Sequence, residues 1–278
     1  MTAQNNSLNG QTIAFVGGGN MASAVIGGLL RQGLPPTQVQ VIEPFPEARD
    51  KLEAMFGIVA MESAGPPLAK ATLVVWAVKP QTFRQAAAAV RDYAQAALHL
   101  SVAAGIRSDS ISQWLGTQRI VRSMPNTPAL IGKGMTALFA RPAASTEDRA
   151  LVEQVVATTG DSLWVEREEQ LDAVTALSGS GPAYVFFFLE AMTQAGIEMG
   201  LSRDQAYRLS VGTFAGASAL AAASSESPEV LRQRVTSKGG TTYAAITSME
   251  QSQIQALFIQ ALHAANRRAG ELGDEFGS

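Results

Sequence analysis

The sequence predicts an α/β protein in which an N-terminal doubly wound parallel sheet is followed by an all-α dimerisation domain. Three observations predict this division. Short apolar runs alternate with helical stretches in the first half, a glycine-rich turn follows the first run, and the strand pattern stops near Val165. We therefore expect one domain over residues 1–165 and a helical domain over residues 166–278.

The predicted strands are apolar on both faces and are separated by helical stretches, such as Met21–Gln32 and Glu47–Phe56. Strands without polar alternation are typical of a parallel sheet that is covered on both sides. The predicted strands are Thr12–Val16, Val39–Ile42, Leu73–Val78, Leu98–Val102, Arg119–Ser123 and Met135–Phe139.

The second half reads as helices with an unusual distribution of apolar residues. Ala183–Met199 is apolar nearly all round, and Val211–Ala223 consists mostly of Gly, Ala and Ser. A helix that is apolar all round must be buried all round, and small residues allow helices to approach closely. We interpret these helices as the centre of a dimerisation domain; the alternative is the core of a monomeric bundle. The predicted helices are Leu171–Leu177, Ala183–Met199, Arg203–Ala223 and Gln253–Leu272.

The composition supports self-association and excludes several classes of function. Charged residues make up 16% of the chain, against about 25% in ordinary soluble domains, so burial between subunits is expected. A net charge of −3 argues against nucleic acid. No cysteine is present, and the two histidines, His99 and His263, are far apart, so no metal site is expected. A polar N-terminus and short apolar runs predict a cytoplasmic protein that does not span a membrane.

The strongest local signal is the glycine motif between the first predicted strand and the first helix. Its spacing, G-x-G-x-x-A, places Gly17 at the tight turn and Gly19 where a backbone approaches a diphosphate, while Ala22 allows close packing of helix and strand. The N–H groups from Asn20 and Met21 onward would hold the phosphates. This pattern indicates a Rossmann-type dinucleotide-binding domain; a purely structural glycine turn is the alternative.

Glu43 ends the second predicted strand, at the spacing expected for an acid that binds ribose hydroxyls. Its carboxylate would accept from a 2′-hydroxyl and repel a 2′-phosphate, which favours NADH. Arg49 is a nearby cation that would instead hold the phosphate of NADPH. An exposed glutamate without a role is a third interpretation, and the sequence leaves the choice between NADH and NADPH open.

Four further segments, taken with the glycine motif, resemble the signature blocks of the pyrroline-5-carboxylate reductase family, in the same order and over nearly the whole chain. These segments are Val75–Gln81, Val121–Pro128, Ser178–Tyr184 and Thr236–Thr242. The resemblance implies the last step of proline biosynthesis, in which a hydride passes from NADH or NADPH to the C=N carbon of 1-pyrroline-5-carboxylate to give L-proline. It also implies that the helical domain intertwines two subunits and that such dimers assemble into a ring.

The resemblance assigns roles to two strand ends and to a helix break. The cofactor would be bordered by the residues after the third strand, although an ordinary turn is an alternative. These residues are Ala77, Val78, Lys79 and Pro80. Asn126 would lie near the nicotinamide; the alternative is a turn-forming Asn-Thr-Pro. Ser180 would either contact the substrate or belong to a structural hinge at the dimer interface.

The last block carries the hypothesis for the substrate. Ser237, Gly239 and Gly240 form a flexible loop, after which Thr241 and Thr242 open a helix that runs toward Met249. The unpaired N–H groups at such a helix start suit the carboxylate of a cyclic imine acid. Thr242 matches the hydroxyl that hydrogen-bonds the ring nitrogen in the family, whereas simple N-capping by either threonine is the alternative. Lys238 stands where the family pattern has proline.

An imine substrate suits the scarcity of proton donors in the helical half, which has one lysine, Lys238, and one histidine, His263. An imine can arrive protonated, so hydride delivery requires mainly positioning. One rival is a β-hydroxyacid dehydrogenase-like enzyme, which needs a helical lysine with an asparagine four residues later. The other is a dinucleotide-binding regulator without catalysis, which need not keep the Thr236–Thr242 segment.

Overall fold

The structure is a computed structural model that describes residue 8 and residues 10–277. Its internal contacts divide the chain into two units. The first unit runs up to Ser180 and takes in the chain from Ala265 onward, and the second unit is Gly181–Ala264.

The first unit is built on a seven-stranded sheet in the order β2-β1-β3-β4-β5-β6-β7. The first five strands are parallel, which confirms the predicted doubly wound sheet. The strands are β1 Ile13–Val16, β2 Val39–Ile42, β3 Leu73–Trp76, β4 Leu98–Ser101, β5 Ile120–Met124, β6 Gly134–Ala140 and β7 Gly160–Trp164.

The expectation of a uniformly parallel sheet is wrong at its far edge. β6 pairs antiparallel with β5, and β7 then pairs parallel with β6. The reason is the length of the connection, because residues 125–133 are too few for the crossover of about a dozen residues that parallel strands require. The nucleotide-binding edge, formed by β1, β2 and β3, is not affected.

Helices cover both faces of the sheet, as the apolar strands predict. Ile13 and Phe15 face one buried cluster, whereas Ala14 and Val16 face a second cluster on the opposite side. Burial on both faces removes the polar alternation from these strands. The helices of this unit are α1 Asn20–Arg31, α2 Pro46–Phe56, α3 Pro80–Val90, α4 Ser108–Leu115, α5 Thr146–Val156 and α6 Gln170–Val174, and a π-helical turn, Thr175–Gly179, follows α6.

The second unit is entirely helical over its described length. Its helices are α7 Gly181–Glu198, α8 Arg203–Ala222, α9 Pro228–Arg234, α10 Thr241–Gln251 and α11 Ile254–Phe276, of which the part from Ala265 belongs to the first unit. Helices α7 and α8 pack closely, since a Cβ on Gly196 would lie 2.7 Å from the Cβ of Ala206. Small residues permit this approach, as the sequence predicts.

These helices leave much apolar surface uncovered within one chain. In α7 the buried residues are Thr193 and Gly196, and in α8 they are Ala206 and Ser210. The core of a monomeric bundle would be buried, so that alternative is wrong. Apolar surface of this extent marks an interaction face. Large exposed apolar residues include Phe186, Phe187, Leu209, Leu220, Leu257 and Ile259.

Two kinds of feature are absent from the described part of the chain. No helix there is both long and apolar enough to cross a membrane. Likewise, these residues contain no group of three or more His, Cys, Asp or Glu side chains placed to hold a metal ion.

Candidate active site

The glycine loop lies at the carboxyl edge of the sheet, where β1 is flanked by β2 and β3. Gly17 has a φ of +96°, and a Cβ there would lie 2.6 Å from the carbonyl oxygen of Ala77. Only glycine permits both this backbone conformation and this close approach. The chain order reverses between β1 and β3, which is where ligands bind in open α/β sheets.

The start of α1 has the features of a diphosphate site. Gly19 is the N-cap and offers no side-chain hydrogen bond, and the first helical bond runs from the Ser23 amide to the Gly19 carbonyl, at 2.9 Å. The amides of Asn20, Met21 and Ala22 therefore have no partner within the helix. A Cβ on Gly19 would meet nothing within 4 Å, so the backbone is open to a ligand. Ala22 is fully buried, in agreement with its predicted packing role.

Glu43 follows β2 directly and is 6% exposed, so the interpretation as an exposed glutamate without a role is wrong. Its Oε2 accepts from the Gly18 amide at 2.7 Å, and its Oε1 accepts from the Phe45 amide at 3.0 Å. The carboxylate thus joins β2 to the glycine loop. Arg49 donates from Nη1 to the carbonyl oxygens of Glu43, at 3.0 Å, and Pro44, at 2.8 Å.

The segment after β3 packs against the glycine loop. The Ala77 amide donates to the Val16 carbonyl at 2.9 Å, and Val78 Cγ1 lies 3.1 Å from the position of a Cβ on Gly17. Lys79 is the N-cap of α3 and is exposed, and Pro80 is the first residue of that helix. This turn is therefore part of the wall around the glycine loop.

Asn126 joins the end of β5 to the π-helical turn. Its Nδ2 donates to the Ser178 carbonyl at 3.1 Å, and its Oδ1 accepts from the Met135 amide at 2.9 Å. The Ser180 amide donates to the Thr175 carbonyl at 2.8 Å, which closes the turn. Both amide atoms of Asn126 are engaged, so it shapes the segment that leads to Ser180. Ser178 opens one of the family blocks, but its bond to Asn126 joins residues 52 positions apart and does not follow from the sequence. The π-helical turn that contains it is a kind of turn that is frequent at functional sites.

The N-terminus of α10 has no side-chain cap. Gly240 is the N-cap, and the Ala244 amide makes the first helical bond, to the Gly240 carbonyl at 3.1 Å. The alternative in which Thr241 or Thr242 caps the helix is therefore wrong, since both residues lie inside its first turn. Their amides are available to an anion, and the Thr242 side chain is partly exposed.

The loop before α10 presents these amides through a tight turn. The Gly240 amide donates to the Ser237 carbonyl at 3.0 Å, and a Cβ on Gly240 would lie 2.8 Å from Ser237 Oγ. Gly239 has a φ of +76°, which favours glycine. Lys238 is exposed at the turn. The predicted loop residues are thus adjacent to the predicted helix start.

His99 and Asp172, two of the groups with clearly shifted pKa values, lie within the sheet unit. Burial lowers the pKa of His99 to about 4, and this residue accepts a hydrogen bond from Trp76 Nε1 at 3.1 Å. Burial raises the pKa of Asp172, while the charges of Arg107 and Arg122 oppose the shift. We assign both residues to structural roles.

Two family models match the chain. The model described as pyrroline-5-carboxylate reductase dimerisation matches residues 168–272, and the model described as NADP oxidoreductase coenzyme F420-dependent matches residues 12–105. A curated pyrroline-5-carboxylate reductase from Pseudomonas aeruginosa is 44% identical, over 95% of this chain and 98% of its own length. One of the same name from Haemophilus influenzae is 39% identical, over 94% of this chain and 97% of its own length.

Solved structures agree with the sequence relatives. A pyrroline-5-carboxylate reductase from Coxiella burnetii has a TM-score of 0.88 at 36% identity and covers 95% of this chain and 99% of its own. A pyrroline carboxylate reductase from Plasmodium falciparum, solved with NADP bound, has a TM-score of 0.84 at 26% identity and covers 95% of this chain and 98% of its own. The resemblance inferred from the five sequence blocks is confirmed: the chain belongs to the pyrroline-5-carboxylate reductase family.

Proposed function

We propose that this chain catalyses the last step of proline biosynthesis, the reduction of 1-pyrroline-5-carboxylate to L-proline with NADH or NADPH. The observation that carries the proposal is the N-terminus of α10. It combines amides without a side-chain cap and a partly exposed hydroxyl, on Thr242, in the block that resembles the family's substrate loop. The glycine loop of the first unit is the proposed binding site of the cofactor.

The residues of the first unit suit a dinucleotide. The amides of Asn20, Met21 and Ala22 hold its diphosphate, and the open space over Gly19 admits it. The segment Ala77–Pro80 borders the cofactor beside Gly17, and Asn126 shapes the neighbouring segment at the nicotinamide end. When bound, the reduced nicotinamide supplies the hydride.

The residues before and within α10 bind and orient the imine. The substrate carboxylate accepts hydrogen bonds from the amides of Gly239 and Thr241, helped by the dipole of an 11-residue helix. Gly240 contributes by closing the turn, since its amide donates to the Ser237 carbonyl. The Thr242 hydroxyl hydrogen-bonds the ring nitrogen, which fixes the orientation of the C=N carbon. Ser237 shapes the loop, and Ser180 either contacts the substrate or acts as a hinge.

The catalytic task of the protein is positioning rather than proton donation. An imine nitrogen is basic and arrives protonated, so no alkoxide charge develops when the hydride is delivered. The N–H of this iminium donates to the Thr242 hydroxyl, and the nitrogen keeps its proton as the C=N double bond becomes a single bond. Orientation of the reactants accounts for the rate enhancement under this proposal.

The proposed assembly is a homodimer formed by the helical domain, and such dimers join into a ring. The exposed apolar faces of α7 and α8 and the dimerisation model over residues 168–272 support self-association. Residues 1–165 form the dinucleotide-binding domain and residues 166–278 the helical domain for substrate binding and dimerisation. We place the protein in the cytoplasm, where reduced nicotinamide is abundant.

A substrate panel tests this proposal. The full chain should consume reduced nicotinamide with 1-pyrroline-5-carboxylate and release L-proline. It should be far slower with 1-pyrroline, which lacks the carboxylate, and inactive with an acyclic 2-oxo acid. Cofactor binding without turnover on any cyclic imine would instead favour a regulator, and equal rates with both pyrrolines would remove α10 from carboxylate binding.

A further inference from the structure

We propose that Glu43 makes this reductase selective for NADH by excluding a 2′-phosphate from the adenine ribose. The inference rests on the proposed function, because it concerns the cofactor of that reaction. In dinucleotide-binding sheets the ribose lies beside the residue that ends the second strand. Glu43 occupies that position, directly after β2 Val39–Ile42.

The carboxylate of Glu43 is fixed in place. Each oxygen accepts one backbone amide, from Gly18 at 2.7 Å and from Phe45 at 3.0 Å, and the residue is 6% exposed. A Cβ on Gly18 would lie 2.6 Å from Leu52 Cδ1 and 3.3 Å from Glu43 Oε2, so the loop is packed tightly against both side chains. A rotation of the carboxylate away from the ribose would break both hydrogen bonds and leave the amide of the buried bond, that of Gly18, without its partner, which is costly.

The fixed carboxylate treats the two cofactors differently. A carboxylate oxygen keeps a free lone pair after it accepts one amide, so it can also accept from the 2′-hydroxyl of NADH. The 2′-phosphate of NADPH carries a charge of about −1.5 to −2 and replaces the hydroxyl that would donate to the carboxylate. Repulsion between like charges at a buried position discriminates strongly between two ligands.

Arg49 is the cation that could reverse this preference, but its position argues against that role. Its Nη1 donates to the carbonyl oxygens of Glu43 and Pro44, and its Nη2 lies 3.9 Å from Glu62 Oε2. The guanidinium therefore supports the backbone of the β2–α2 loop. We assign it to stabilising the backbone of that loop rather than to binding a phosphate, and the Glu43 carboxylate is held by the Gly18 and Phe45 amides.

Calorimetric titration of the full chain tests the proposal without any turnover. The dissociation constant for NADH should be at least about tenfold lower than the one for NADPH. ADP-ribose and 2′-phospho-ADP-ribose should show the same order, because the selectivity resides in the adenosine half. Equal binding of the two cofactors, or tighter binding of NADPH, would overturn the proposal.

Three variants locate the selectivity. Glu43→Gln keeps an oxygen acceptor for the Gly18 amide but removes the charge, so the two dissociation constants should come within about threefold of each other. Glu47→Gln makes the same change on the exposed first turn of α2 and should preserve the wild-type ratio. Arg49→Met should leave the preference for NADH intact. A specific loss of NADPH binding in Arg49→Met, or an unchanged ratio in Glu43→Gln, would contradict the assignment.

Binding and turnover separate this inference from the proposed function. A protein that prefers NADH in calorimetry but does not reduce 1-pyrroline-5-carboxylate would refute the function and leave the selectivity standing. A protein that binds NADPH more tightly than NADH, and makes proline faster at limiting NADPH than at limiting NADH, would retain the proposed function. That result would refute only the proposed selectivity for NADH. If Glu43→Gln does not fold, the wild-type comparison of the two ADP-ribose ligands still decides the question.

Discussion

At the scale of single residues, Gly17 and Gly19 serve the same loop for different physical reasons. Gly17 adopts a φ of +96° and a Cβ there would clash with the Ala77 carbonyl, so its lack of a side chain is a requirement of the fold. Gly19 has a φ of −70°, which any residue adopts, and faces open space. Its lack of a side chain is instead a requirement of ligand binding.

The two glycines therefore predict opposite outcomes on substitution. Gly17→Ala should lower the free energy of unfolding by about 1–3 kcal/mol, because a strained conformation is added to a backbone clash. Gly19→Ala should unfold like the wild type but bind NADH roughly tenfold more weakly, since the added methyl group displaces the diphosphate from the helix amides. Denaturant unfolding and calorimetry measure the two effects.

Gly65→Ala is the matched control for these variants, because a Cβ there meets Pro67 Cδ at an ordinary 3.7 Å. It should change neither stability nor cofactor binding. Normal NADH affinity in Gly19→Ala would show that the diphosphate does not approach this glycine.

Thr242 is the residue on which the proposed chemistry depends. Thr242→Ala should lower kcat with 1-pyrroline-5-carboxylate roughly 10- to 100-fold, because the imine loses the partner that orients it. The dissociation constant for NADH should not change. Thr242→Ser keeps a hydroxyl and should recover most of the rate, whereas unchanged kinetics in Thr242→Ala would remove this residue from the mechanism.

At the scale of elements, β3 and β4 contain a buried pair that makes stability depend on pH. His99 is 2% exposed, accepts from Trp76 Nε1, and also hydrogen-bonds the Ala94 backbone. The pKa of His99 falls from 6.5 to about 4 on folding, so the unfolded chain binds more protons between these values. The contribution of neutral, buried His99 to the free energy of unfolding is complete above pH 6.5 and is lost as the pH falls toward 4.

This shift predicts a loss of about 3 kcal/mol in the free energy of unfolding between pH 7 and pH 4, beyond the effect of carboxylates. His99→Asn keeps an acceptor for the Trp76 N–H but has no titrating group in this range. Urea unfolding at several pH values should therefore show a shallower pH dependence for the variant. Parallel curves for the two proteins would contradict the role assigned to His99.

Element positions were predictable wherever local pattern and burial agree. β2 was predicted at its observed bounds, and the start of α10 follows from the glycines before Thr241. Helices α3, α4, α5 and α9 and strand β7 are not among the predicted elements, because segments of 5 to 11 residues contain few repeats of an apolar pattern. The direction of β6 was also beyond a pattern-based prediction, since a strand buried on both faces looks the same in either direction.

The candidate site was predictable to the extent that one segment specifies it. The glycine motif identified the loop. The spacing between this motif and Glu43 was enough to predict that Glu43 ends the second strand, at the same edge of the sheet. The bond from the Gly18 amide to Glu43 joins residues 25 positions apart, and that of Asn126 to Ser178 spans 52. Such partners depend on the tertiary fold, which explains why the burial of Glu43 and the engagement of Asn126 required the structure.

At the scale of the whole molecule, the exposed apolar helices predict that assembly depends on the helical domain. Phe187 in α7 is 68% exposed in the single chain. Phe187→Glu should weaken self-association at least about 100-fold, since a charge buried in an apolar interface has no partner. Sedimentation velocity over a range of concentrations measures this change.

Val59→Glu provides the control, because Val59 is 77% exposed but belongs to the sheet unit. It should sediment like the wild type. A monomeric wild-type protein at micromolar concentration, or equal dissociation of both variants, would contradict an interface formed by α7.

The most direct test of the account is to follow the hydride itself. Reduced nicotinamide labelled with deuterium on the transferred position of C4 should, with 1-pyrroline-5-carboxylate and the full chain, give L-proline that carries one deuterium at C5, detected by mass spectrometry and NMR. This result would place the hydride on the former C=N carbon. Unlabelled proline, label at the α-carbon, or no proline despite cofactor binding would contradict the assignment of this protein as an imine reductase.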